Sequence, residues 1–229
     1  MKFIAMAILI AAPVFADSVT AFKYTGSAPG HPENVEADFI VVGGNLQITL
    51  TNIVSSMTYD TQILTGVSFT WADEGSTAGT VTNPVVPTYN INDTGGVITP
   101  TGVNANAGWI TSLTALSGYV TLTTIGAPGH SAGNYGIIST STNTSGTNNL
   151  SQHGPFIEGP VQFTIAGLGV TASSQITGVQ FNFGTILGSY SGVVTSTVST
   201  STPEPGTIAL SSIALVGLLW AVRKRQRTV

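Results

Sequence analysis

The chain has 229 residues, of which 42% are hydrophobic, only 7% are charged and none is cysteine, and its formal net charge is −4. Without cysteine it can form neither disulfides nor thiolate metal sites, so its stability has to come from a packed core. Six Lys and Arg against ten Asp and Glu also argue against nucleic acid as a partner, because too few cations are present to neutralise a run of phosphates.

Met1 and Lys2 precede an apolar run at 3–12, followed by Pro13 and the pattern Val14-Phe15-Ala16. A charged start, a short apolar stretch and a small-residue end are the parts of a secretory signal helix, here 1–16, with signal peptidase cutting between Ala16 and Asp17. The run is too short to stay behind as a spanning helix. Between this segment and residue 202, Lys23 is the one cation against nine carboxylates, a net charge of −8. That deficit disfavours anionic lipid surfaces as well as nucleic acid and leaves neutral polymers such as extracellular polysaccharide, divalent cations or other copies of the chain as candidate partners.

Residues 17–194 contain no sustained 3.6-residue apolar stripe, but period-two alternation recurs. Leu46, Ile48 and Leu50 interleave with Gln47, Thr49 and Thr51, giving one apolar and one polar face. Val67, Phe69 and Trp71 repeat the pattern, as do Val120 with Leu122, Val161 with Phe163 and Ile165, and Val179 with Phe181 and Phe183. Weaker strand signals lie at 19–24, 38–42 and 193–198. Gly43-Gly44-Asn45, Asp93-Thr94-Gly95-Gly96, Ala127-Pro128-Gly129 and the polar run 139–149 mark turns. Many short strands separated by turns predict an all-β fold, a single jelly-roll-like β-sandwich ectodomain. Residues 195–202, TSTVSTST, are rich in hydroxyls and poor in apolar side chains, which predicts a stalk.

Few residues offer chemistry. His31, between Gly30 and Pro32, has no visible partner at metal-ligand spacing. Asp73 and Glu74 beside Gly75 supply oxygen ligands of the kind calcium uses, but two adjacent acids read better as a solvated turn. Gly129-His130-Ser131-Ala132-Gly133 spells G-x-S-x-G without the strand before it and the helix after it that a nucleophile elbow requires. His153 and Glu158, bracketed by Gly154-Pro155 and Gly159-Pro160, are expected close together at a sheet rim, where a turn-stabilising hydrogen bond is the first reading and a ligand site the second. Gly167-Leu168-Gly169 resembles part of a dinucleotide fingerprint but lacks the following helix, and so reads as a loop. No catalytic residue, metal or cofactor is expected. Trp71, Trp109, Tyr89, Tyr119, Tyr135 and Tyr190 are the aromatics that could stack on sugars.

The last 27 residues, 203–229, combine three parts in order: Pro203-Glu204-Pro205, an apolar stretch at 208–222, and the basic cluster Arg223, Lys224, Arg225 and Arg227. The apolar stretch can enter a bilayer while the cations stop transfer and keep the C-terminus cytoplasmic. Fifteen residues make a helix of only about 22 Å against a hydrocarbon core of about 30 Å, which suits a temporary single transmembrane anchor. The two prolines keep the junction extended and accessible to a protease.

This arrangement resembles the PEP-CTERM sorting signal of Gram-negative bacteria. The resemblance implies that an exosortase, a membrane-embedded cysteine protease, cleaves at Pro203-Glu204-Pro205 after transient anchoring in the inner membrane. It further implies delivery to the cell surface or release. The stretches 153–165 and 179–185 loosely resemble the globular part of such proteins, which implies no activity. The expected function is therefore that of an exported, non-enzymatic structural protein of the cell surface or extracellular matrix. A carbohydrate-binding or adhesive module is the alternative, and a secreted hydrolase built on Ser131 with His130 or His153 ranks last.

Overall fold

A computed structural model describes residues 19–28, 30–71, 77–91, 98–113, 119–129, 131, 133–139, 150–171, 173–186, 190–193 and 197–200. Ala16 and Asp17, the motif Pro203-Glu204-Pro205, the cluster Arg223, Lys224, Arg225 and Arg227, and the acids Asp73 and Glu74 lie outside the described residues. Among the described residues no helix is long and apolar enough to cross a membrane.

The chain is all-β, as the alternation predicts. One sheet joins β1 (Val19–Ala28), β2 (His31–Val42), β3 (Asn45–Asn52), β5 (Thr80–Thr82), β12 (Val161–Ala166) and β15 (Thr197–Thr200) in the order β15-β1-β2-β3-β12-β5. The other has the path β14-β13-β4-β10-β11-β6-β7, built from β4 (Leu64–Trp71), β6 (Val85–Ile91), β7 (Ile98–Asn106), β10 (Ile137–Ile138), β11 (Phe156–Glu158), β13 (Ile176–Phe183) and β14 (Tyr190–Val193). It branches at β4, whose edge also pairs with β9 (Val120–Thr123), and β9 in turn pairs with β8 (Ile110–Leu113). Residues 18–200 cluster as one unit.

The register of the first sheet follows from its tightest turn. Gly43 and Gly44 take φ values of 58° and 80° and close a two-residue hairpin that sets Val42 opposite Asn45, the backbone such a turn needs and glycine readily adopts. Pairing then falls into apolar rungs: Phe39 with Ile48 and Phe163, Ala37 with Leu50 and Val161, Val41 with Leu46 and Ile165. Between them run the rungs of the outer face, polar except for Ile40: Asp38 with Thr49 and Gln162, and Ile40 with Gln47 and Thr164. A one-residue slip would exchange the two faces, so the alternation itself fixes the pairing.

The apolar rungs meet the second sheet. Phe39 lies edge-on to Phe69 at 5.2 Å, Tyr24 lies 5.9 Å from Phe183, and Trp109 packs 4.8 Å from Phe163. The resulting cluster includes Phe22, Leu46, Ile48, Val67, Leu122 and Phe181, a β-sandwich-like core between two facing sheets. A second apolar cluster contains Met57, Ile63, Ile138, Leu150 and Phe156.

Two sequence expectations change. Residues 193–198, expected as one strand, contribute to two, since β14 ends at Val193 and β15 begins at Thr197. The stalk expected at 195–202 gives Thr197–Thr200 to the sheet, where they pair antiparallel with β1, Val19 opposite Thr200 and Phe22 opposite Thr197. The physical reason is that a ladder is held by backbone hydrogen bonds, which a Thr- and Ser-rich segment makes as readily as an apolar one.

Candidate functional site

Three of the polar residues that sequence singled out, His31, His153 and Glu158, lie around β11 and the turn before β4. The 3-10 turn Asp60–Gln62 is anchored by Gln62, whose side chain is 1% exposed. Its amide nitrogen donates to the carbonyl oxygens of Pro32 at 2.8 Å and Ser56 at 3.1 Å, and its oxygen accepts from the backbone N–H of Thr58 at 2.7 Å and of Tyr59 at 3.1 Å. Asn52 locks the same turn from β3, donating to the Gln62 and Ile137 carbonyls at 2.9 and 3.0 Å. Two side chains are thereby presented. Tyr59 stacks on His31, with ring centroids 3.5 Å apart, and the Asp60 carboxylate lies 3.7 Å from Nε2 of His153.

His153 follows the second 3-10 turn, Leu150–Gln152, and its backbone N–H donates to Leu150. Gly154-Pro155 and Gly159-Pro160 are both cis and bracket β11. The segment is stitched to residues 133–138 by backbone bonds from Tyr135 to the Pro155 carbonyl, from Ile157 to that of Gly136, and from Gly159 to that of Ile138. Gly133 lies against the His153 side chain, where a Cβ would come within 3.2 Å of the histidine Cβ.

His153 and Glu158, expected close together at a sheet rim, each meet a residue of another element. His153 faces Asp60, and Glu158 accepts a hydrogen bond from the Tyr89 hydroxyl; burial first, then the carboxylate's charge and this bond, raise the Tyr89 phenol above its ordinary value. Asp60 was not visible as a partner in sequence, because 93 residues separate it from His153.

No family model, curated protein or solved structure matches this chain. The chemistry therefore rests on the geometry. Ser131 is exposed. His130 lies outside the described residues. Gly167 and Gly169, at φ values of 79° and 76°, form the loop after β12. Among the described residues no three His, Asp or Glu come together as a metal site, so Asp60 and His153 form a pair that ties the β4 turn to the segment before β11.

Of the aromatics, Trp71 and Trp109 are in the core, 2% and 0% exposed. Asn83 clamps the Trp109 backbone through bonds of 2.9 Å from its N–H and 2.7 Å to its carbonyl, and the indole N–H donates to the Tyr135 carbonyl at 3.0 Å. Tyr89, Tyr119 and Tyr135 are half-buried, and the Tyr190 side chain is outside the description. What the molecule presents instead is the outer face of the first sheet, carrying Thr25, Asn34, Gln47, Thr49, Thr51, Gln162 and Thr164. The charges on this face are those of Lys23 and Glu36, paired at 3.0 Å, and of Asp38, whose carboxyl is raised by burial and by Glu36 and lowered by Lys23.

Proposed function

We propose that this chain is an exported, non-enzymatic structural protein of the cell surface or extracellular matrix, sorted by an exosortase through its C-terminal tail. One observation carries the reading: Pro203-Glu204-Pro205, the apolar stretch 208–222 and the cluster Arg223, Lys224, Arg225 and Arg227 occur together and in the order a stop-transfer anchor with an accessible cleavage junction requires. Signal peptidase acts between Ala16 and Asp17, and the inner membrane holds the tail until cleavage.

The ectodomain is a single jelly-roll-like β-sandwich; the order β15-β1-β2-β3, with the last strand returning beside the first, supports a Greek-key element. Burial of Trp71 and Trp109 supports a structural role over sugar stacking. The hydroxyl- and amide-rich outer face favours hydrogen bonding to a neutral polymer such as extracellular polysaccharide. The deciding measurement is the intact mass of the protein from membrane and culture-supernatant fractions of its native cells. A species beginning at Asp17 and ending near Pro203 is expected; mature membranes holding only a species that retains Arg227 would make the tail a permanent anchor and remove the sorting reading.

A further inference from the structure

The inward-facing row of β2, Phe39, Ala37 and Val35, ends on an acid, Glu33. Glu33 is 3% exposed, and its Oε1 has no hydrogen-bond partner. Among the described residues its side-chain partner is the hydroxyl of Tyr24, on β1. The Tyr24 ring continues across the interior, covering Gly26 on its own strand and Gly192 on β14, where no Cβ could be accommodated, and packing 6.5 Å from Phe181 and 5.9 Å from Phe183 on β13. One phenol thus holds the acid of the β1–β2 hairpin with its hydroxyl and the edge of the opposite sheet with its ring.

No cation meets this acid among the described residues. Lys23 is on the outer face with Glu36, Asp38 shares that face, His31 stacks on Tyr59, and Asp60 faces His153. Burial raises the Glu33 carboxyl and the Tyr24 hydrogen bond pulls the other way, the net being a rise from 4.5 to about 7.

We propose that Glu33 and Tyr24 form a proton-controlled clasp between the β1–β2 hairpin and β14, closed while Glu33 carries its proton and loosened when it ionises. The protonated acid is neutral and tolerates the dry interior. The carboxylate has one hydrogen bond and no counter-charge, and reaching water requires Tyr24 to leave Gly192. Because the folded acid binds its proton more tightly than the unfolded one, the stabilisation is complete below about pH 4.5 and is lost as pH rises toward 7. Through that window the folding equilibrium weakens by about tenfold per pH unit, and above it the loss levels off.

The test uses the full chain, with hydrogen exchange at the amides of β13 and β14 measured from pH 4 to 9 and corrected for intrinsic exchange, alongside Glu33→Gln. In the wild type, opening of β14 is expected to increase steeply between about pH 5 and 7 and then level off, while Glu33→Gln stays flat. A flat wild-type profile, or the same rise in Glu33→Gln, overturns the clasp. Should Glu33→Gln not fold, the carboxyl-carbon shift of Glu33 in glutamate-labelled wild type decides the matter: a midpoint near 7 supports the clasp, and one near 4.5 overturns it.

Discussion

Gln62 is the side chain whose loss should cost the fold most per atom changed. Gln62→Leu keeps most of the volume but removes four hydrogen bonds to backbone groups, the carbonyls of Pro32 and Ser56 and the N–H groups of Thr58 and Tyr59. A buried group left unsatisfied costs about 1–3 kcal/mol, less where water can reach it. These bonds are only part-buried, so about 1 kcal/mol each is the appropriate figure and the total comes to about 4 kcal/mol, a large share of the ~5–15 kcal/mol that holds a domain together. Equilibrium urea unfolding measures it as a lower midpoint at unchanged slope. Gln162→Leu is the control, since that side chain is exposed on the outer face and its side-chain bond is a 3.4 Å contact to Gln47, and it is expected to shift stability by under about 0.5 kcal/mol. If Gln62→Leu unfolds at the same urea concentration as Gln162→Leu, the anchoring role assigned to the Asp60–Gln62 turn is wrong.

Phe163→Ala empties a position that is 0% exposed and packed on Trp109; a loss of about 3–5 kcal/mol is expected in the same assay, with indole fluorescence reporting exposure of Trp109. Gly178→Val forces a β-branched residue into φ 56° and puts its Cβ 2.7 Å from the Tyr119 hydroxyl, so the melting temperature should fall by several degrees, whereas the outward Thr177→Val should change it little. Lys23→Met breaks the exposed pair with Glu36 and should change stability by no more than about 0.5 kcal/mol in urea, while changing electrophoretic mobility by one charge.

The strands that sequence revealed are those with one face buried. Leu46, Ile48 and Leu50, or Val161, Phe163 and Ile165, alternate because their even partners meet solvent, and the structure pairs these two segments directly. In β7, Ile98–Asn106, only residues at a few positions are even half-buried, so it shows no period-two signal although β6 pairs along it. β10 is two residues long and carries no period at all. The site was less legible than the fold. Asp60 meets His153 and Asn52 meets Ile137 across 93 and 85 residues of chain, and such polar pairs leave no periodic trace. Glu33 has the clearest missed signal: it continues the inward parity of Val35, Ala37 and Phe39, and an acid at that parity marks a buried carboxyl.

The pairing of Val19 with Thr200 has a mechanical consequence. β1 and β15 are antiparallel, so the outer ends of the first and last strands emerge side by side. Tension applied between residues 19 and 200 loads this ladder as a zipper, opening one rung at a time, and β15 peels away before the rungs of Phe39, Ile48 and Phe163 bear any load. The same adjacency lets a short linker close the two ends into one continuous strand pair, so that a new opening can be cut at the Gly43-Gly44 hairpin while the β15-β1 ladder is kept.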